Sequence, residues 1–171
     1  MEPARDRFEA LFERHHAAVA AYVRRRAPAE AVEDAVAETF LVAWRSLGRL
    51  DGDPLPWLYG VARRVLGNDR RARLRRSALS ARLARQPQRP QHEPLAHEVS
   101  EPLRSALLSL GRKEREALLL VAWEGLDPAQ AARAAGCTAV AFRTRLHRAR
   151  RQLARRLAGG HPSLTQEARG T

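Results

Sequence analysis

Arg143, Thr144, His147, Arg148 and Arg151 follow one another at intervals of one or three positions, which places their side chains on one side of a helix. Arginine forks pair with phosphate oxygens and guanine edges, and threonine can meet a base edge. A helix carrying such a face is suited to the DNA major groove. A second group opens with Trp57 and Tyr59 and continues into Arg63, Arg64, Arg70 and Arg71. Aromatic rings stack on unpaired bases while arginines hold phosphates, so this group suits single-stranded or melted nucleic acid, although Trp57 could equally be core. A third group has the opposite sign. Glu33, Asp34 and Glu38 form an acidic side of a helical stretch, which is either a solvated face or a dock for a basic protein. None of this calls for catalysis. His15, His16, His92, His97, His147 and His161 show no ligand spacing with carboxylates, and the single Cys137 allows neither an internal disulfide nor a cysteine-based zinc site. We expect no enzymatic activity, no metal and no cofactor.

The charge balance agrees with these groupings. The 171 residues carry 31 basic and 19 acidic side chains, a net charge of +12, and Lys113 is the sole lysine. Residues 1–50 are neutral and 51–60 carry −2, whereas 61–89 carry +9; 90–136 carry −2 and 137–171 carry +7. The excess therefore sits in two foci. An anionic membrane face would also attract such a chain, but no apolar run approaches the roughly 18 residues of a membrane span, and the opening MEPARDRFEA lacks a signal-peptide pattern. We expect a cytoplasmic protein with no membrane partner.

The elements that must position these groups are helices. Phe8, Leu11, Phe12, His15, Val19, Tyr22 and Val23 form a helical stripe over 8–26, which Pro28 ends. Val32, Val36, Phe40, Ala43, Trp44 and Leu47 form another over 29–47. A turn-rich loop from Gly48 to Pro56 leads into a helix over 57–76. From 77 to 100 the pattern fades into prolines and glutamines, a linker composition. Helices are then expected over 102–110 and 113–123. Asp127, Pro128 and Gln130 make a capping box for a helix to Ala135, Gly136 permits a turn, and Thr138 caps a helix to Leu157 with Phe142, Leu146, Ala149 and Leu153 facing inward. Helix, short turn and second helix is a helix-turn-helix arrangement. The fold class is all-α: two small helical domains, 1–76 and 101–158, joined by a flexible linker over 77–100 and followed by a disordered tail over 159–171.

The stretches VEDAVAETFLVAWRSL, PWLYGVARRVLGNDRR and LLSLGRKEREALLLVAWEGLDPAQAARAAGCTAVAFRTRLHRARRQL, in this order, resemble bacterial sigma factors of the extracytoplasmic-function (ECF) group over residues 8–157. The resemblance implies a protein with sigma regions 2 and 4 that directs promoter-specific initiation with core RNA polymerase. It implies that Val32 to Leu47 docks on the beta-prime clamp helices, with Asp34 and Glu38 at the acidic positions, and that region 4 meets the beta flap. Trp57 to Arg71 would read and melt the −10 element, with Gly48 to Pro56 beside a captured base. Arg143, Thr144, His147 and Arg148 would face the −35 duplex. Many members of the group are held inactive by an anti-sigma factor, so such a partner is expected here. Arg64 stands where many members carry asparagine, Ala37 where glutamine is frequent, Gly111 where proline is frequent and Phe142 where valine is usual. The rival readings are a stand-alone helix-turn-helix regulator that binds a palindromic duplex without polymerase, and a non-specific single-strand binder.

Overall fold

Helix formation follows the apolar stripes, and the ends of the helices follow the breakers. The computed structural model describes residues 2–50, 52–84 and 99–159. Helix α1 spans Glu2–Arg24 and buries Val19, Tyr22 and Val23. After Pro28 and a short 3-10 turn at Ala29–Ala31, α2 spans Val32–Ser46. Its buried residues Ala35, Val36, Thr39, Phe40 and Ala43 recur at helical spacing, and the Thr39 hydroxyl satisfies itself by donating to the Ala35 carbonyl at 2.7 Å. A second 3-10 turn at Leu47–Arg49 precedes the loop. There an Asp53 carboxylate oxygen accepts the Leu55 N–H at 3.1 Å and opens α3.

Helix α3 spans Leu55–Ala84 and does not stop at Arg76. Arginine, leucine and alanine are all good helix formers, and no proline intervenes before Pro87. An Arg73–Asp69 pair at 3.0 Å supports the turn at its middle. The region expected as a linker from residue 77 is thus helical as far as Ala84; residues 85–98 and the expected disordered tail from 160 lie outside the described residues.

The C-terminal half contains α4 (Glu101–Leu108), α5 (Arg112–Ala122), α6 (Pro128–Ala135) and α7 (Ala139–Gly159). The expected capping box is present: Asp127 Oδ1 accepts from the N–H groups of Ala129 and Gln130 at 2.7 and 2.8 Å, and Gln130 Oε1 accepts from the Asp127 N–H at 3.1 Å. Gly136 adopts φ 66°, a left-handed conformation that glycine takes without strain. The Thr138 hydroxyl then accepts the Ala141 N–H at 3.2 Å and caps α7.

Helices α1, α2 and α3 pack into one bundle, and α4 to α7 into another, with Phe142, Leu146 and Ala149 of α7 buried at its centre. The two bundles are not separate. Helix α3 lies along α6, and the buried apolar residues of both halves form one continuous cluster that runs from Val19 and Tyr22 through Leu58 and Ala62 to Ala131, Ala134 and Phe142. The two bundles expected from the sequence also touch directly, because α3 and α6 offer small surfaces to each other. Gly60 approaches the backbone so closely that an added Cβ would lie 3.4 Å from the Ala134 carbonyl oxygen.

The capping box carries a stability prediction. Asp127→Ala should cost about 1 kcal/mol, seen as a lower urea midpoint with an unchanged slope of unfolding free energy against urea.

Candidate nucleic-acid and polymerase surfaces

Helix α7 buries Phe142, Leu146 and Ala149, and this orientation turns Arg143, Thr144, His147, Arg148 and Arg151 outward, all exposed as expected. The helix contains no carboxylate from Ala139 to Gly159, so its outer face is of one sign. Across from it, the nearest carboxylate to Arg148 is Glu114, at 3.9 Å. The Thr144 hydroxyl donates to the Val140 carbonyl at 3.1 Å. Val140 itself was not singled out from the sequence, yet it is 66% exposed at the start of the same face. Its spacing of three and four residues from Arg143 and Thr144 was the available signal, and an exposed methyl-bearing side chain there can meet a thymine methyl group.

The α3 group divides. Arg64 and Arg71 are exposed, with Arg71 donating to the Asn68 side-chain oxygen. Trp57 and Arg70 are half-buried. Tyr59 turns inward against α1 and Arg63 turns toward α6. Tyr59 is 3% exposed and stacks on Tyr22, with ring centroids 4.9 Å apart. Burial, with a smaller contribution from Glu124, pushes its hydroxyl up to about 12, so the phenol stays neutral at physiological pH. The Arg63 Nε donates to the Ala134 carbonyl at 3.1 Å, placing a cation at the negative end of α6. In this conformation the two residues contact protein.

On α2, Glu33, Asp34 and Glu38 are all exposed. Around them the structure adds an apolar component that sequence reading did not assign to this face: Leu41 is 41% exposed and Trp44 is 45% exposed. Helical spacing puts Trp44 on the apolar stripe of α2. It lies at the edge of that stripe, packing edge-on against Phe8 at 5.1 Å while its other side remains open. Phe12 is likewise at the rim, 38% exposed against Phe40 at 4.7 Å. An exposed leucine between Glu38, one turn before it, and the exposed Arg45, one turn after it, gives this face an apolar patch with charged residues on either side. His15, on the apolar stripe of α1, is buried, and desolvation holds its imidazole below the usual histidine value. Among the described residues no group of three His, Cys, Asp or Glu side chains could hold a metal ion, and no helix is long and apolar enough to cross a membrane.

Sequence reading missed a further cluster entirely. Arg25 and Arg26, just past the end of α1, meet Glu116 of α5 and Glu124 just after it. Arg26 contacts Glu116 at 3.0 Å and Glu124 at 2.8 Å, and Arg25 contacts Glu124 at 2.5 Å. Tyr22 donates to Glu116 at 2.8 Å, and its ring lies 3.7 Å beneath the Arg26 guanidinium carbon. Burial by itself would lower Arg26, but Tyr22, Glu116 and Glu124 outweigh it and hold the guanidinium above its ordinary value. No local pattern joins residues some ninety positions apart.

Comparison with known proteins follows this geometry. Residues 11–76 match the family described as Sigma-70 region 2, and residues 100–153 match Sigma-70, region 4. The RNA polymerase sigma factor NccH of Alcaligenes xylosoxydans xylosoxydans is 31% identical over 156 residues, covering 85% of this chain and 84% of that protein. The ECF RNA polymerase sigma factor EcfG of Rhodopseudomonas palustris (strain TIE-1) is 33% identical over 130 residues, covering 73% and 70%. Among solved structures, the sigma factor RpoE of Bartonella quintana, in complex with the anti-sigma factor NepR, superposes with a TM-score of 0.63 at 20% identity, over 90% of this chain and 98% of that one. That likeness bears on the fold.

The exposed face of α7 generates one prediction. Arg148→Ala should weaken duplex binding and lower the slope of log affinity against log salt by about one unit; fluorescence anisotropy across a salt series measures it, and an unchanged slope would mean that Arg148 holds no phosphate.

Proposed function

This chain belongs to the RNA polymerase sigma-factor family, and we propose that it binds core RNA polymerase and directs initiation at promoters by reading a −10 and a −35 element. The observation that carries the proposal is the separation of surfaces on one chain. Helix α7 offers an exposed face with arginines and no carboxylate of its own, α3 exposes Arg64 and Arg71, and α2 offers an acidic N-terminal half followed by the exposed Leu41 and Trp44. Proteins that only grip nucleic acid have no use for the last of these. Sigma factors act by binding rather than by catalysis.

In this reading Glu33, Asp34 and Glu38, with Leu41 and Trp44, meet the beta-prime clamp helices, and the C-terminal bundle meets the beta flap. The carboxylates steer and orient the encounter, while the apolar side chains supply buried area. Arg143, Thr144, His147, Arg148 and Arg151, led by Val140, enter the major groove of the −35 duplex. Trp57, Tyr59, Arg63, Arg64, Arg70 and Arg71 act on the −10 element, where stacking of about 1 to 3 kcal/mol per base offsets the few kcal/mol needed to unstack and unpair one. Holding both readers on one polymerase makes the second engagement intramolecular, so two weak contacts suffice. Residues 1–76 and 101–158 are the functional units. An anti-sigma factor, as bound by RpoE of Bartonella quintana, is the expected regulator. The stand-alone regulator is not favoured, because a region 2 match occupies the half that such a protein would use to dimerise or sense a ligand.

Transcription in vitro from genomic promoter fragments with core polymerase tests the proposal. Added protein should direct specific initiation, and tight duplex binding without any initiation would contradict it. Asp34→Arg should weaken core-polymerase binding by about tenfold or more, as expected for a like-charge contact at a docking face, with the helical circular dichroism unchanged; wild-type affinity would remove Asp34 from the docking surface.

A further inference from the structure

Val140 is the most exposed large apolar side chain among the described residues, at 66%. Core packing does not account for it. Phe142, two positions on, is fully buried and sets the inward face of α7, which turns Val140 to solvent. Helix formation does not account for it either, since a β-branched residue is a poorer helix former than its neighbours Ala139 and Ala141. Its position does carry meaning. Val140 stands at the start of the exposed face of α7, one turn before Arg143 and Thr144, and in a helix-turn-helix the N-terminal residues of the second helix are the ones that reach base edges.

Two of the side chains beside Val140 have no hydrogen to give a base. Ala141 is exposed and carries only a methyl group. The Thr144 hydroxyl directs its hydrogen into the helix, donating to the Val140 carbonyl at 3.1 Å. The result is an apolar island at the leading end of a face that continues as Arg143, His147, Arg148 and Arg151. In the major groove, the edges of guanine, adenine and cytosine present hydrogen-bonding groups, and thymine alone adds a C5-methyl group. An apolar island entering that groove therefore gains from one base, whereas against the others it takes polar edges out of water without replacing their hydrogen bonds.

We propose that Val140 is a specificity-determining residue of the −35 reader, selecting an A·T pair by meeting the thymine C5-methyl group, with Ala141 and Thr144 beside the contact. The proposal rests on the reading of α7 as the −35 helix. Arginines on the same face supply affinity through phosphates and guanine edges, and Val140 supplies a choice between bases at one pair. The contact is worth about fourfold in affinity, equivalent to about 0.8 kcal/mol for one carbon taken out of water.

Holoenzyme assembled from the full chain and core polymerase is given promoter fragments with a fixed −10 region and a randomised −35 region, and the fragments that support initiation are sequenced. The wild type should return at least one pair that is consistently A·T. Deoxyuridine, placed at each selected thymine in turn, removes only the methyl group, and at one position it should weaken holoenzyme binding about fourfold. Val140→Ser takes away the apolar side chain at an exposed position, with unchanged helical circular dichroism. It should bind the thymine fragment about fourfold more weakly than the wild type, lose the A·T preference at that pair alone, and show no further loss with deoxyuridine. The contact is overturned by a selected set with no A·T preference, or by equal wild-type binding of thymine and deoxyuridine fragments. It is also overturned by a Val140→Ser protein that still loses fourfold with deoxyuridine, because the methyl group is then read by another side chain or through DNA shape. Initiation on fragments without any A·T preference leaves the sigma-factor reading standing, whereas initiation on no fragment overturns that reading and the methyl contact with it.

Discussion

A guanidinium stays charged at any pH the protein meets, so burying one commits the structure to bringing anions to it. Arg26 imposes that demand where α1 ends. The carboxylates that answer it, Glu116 and Glu124, stand at opposite ends of the second half of α5 and its following turn, so satisfying Arg26 fixes both the position and the direction of α5 against α1. Once α5 is placed, α6 falls along α3, and the absence of a side chain at Gly60 lets the two backbones close. The Tyr22 and Tyr59 stack fills the space between the ion cluster and this contact. The arrangement of the two halves thus follows from one buried charge and one missing side chain.

That arrangement sorts the surface by charge and exposure. Packing Phe142, Leu146 and Ala149 inward leaves the basic side of α7 open to solvent, and packing Val36, Phe40 and Ala43 inward leaves the acidic and apolar side of α2 open. These two faces need no rearrangement to meet a partner. The α3 face is different, since part of it is spent on the contact with α6. A single chain therefore displays the faces of α2 and α7 proposed to meet polymerase and duplex while covering part of the α3 face proposed to meet the melted strand.

Much of this was legible in the sequence because the signals are local. The capping box at Asp127, Pro128 and Gln130, the turn at Gly136 and the cap at Thr138 each involve residues within a few positions of one another, and all appear where expected. The outward set on α7 follows from helical spacing alone. The errors are of two kinds. Trp44 and Phe12 sit at stripe edges, where spacing cannot say whether a neighbouring helix reaches far enough to cover a large ring. The end of α3 was placed too early because an arginine run looks like solvated chain, although arginine is a good helix former and the run continues as helix to Ala84.

The sequence by itself determined the helices, their caps, the segregation of charge into two basic foci and one acidic face, and the family to which these belong, since each depends on neighbours along the chain or on the order of motifs. Only the tertiary structure decided that Arg25 and Arg26 pair with Glu116 and Glu124, that Tyr59 and Arg63 face protein, and that Leu41 and Trp44 complete the acidic face. These depend on which helices meet. In a chain with 30 arginines, composition offers many equivalent cations, and burial against particular carboxylates is what singles out two of them.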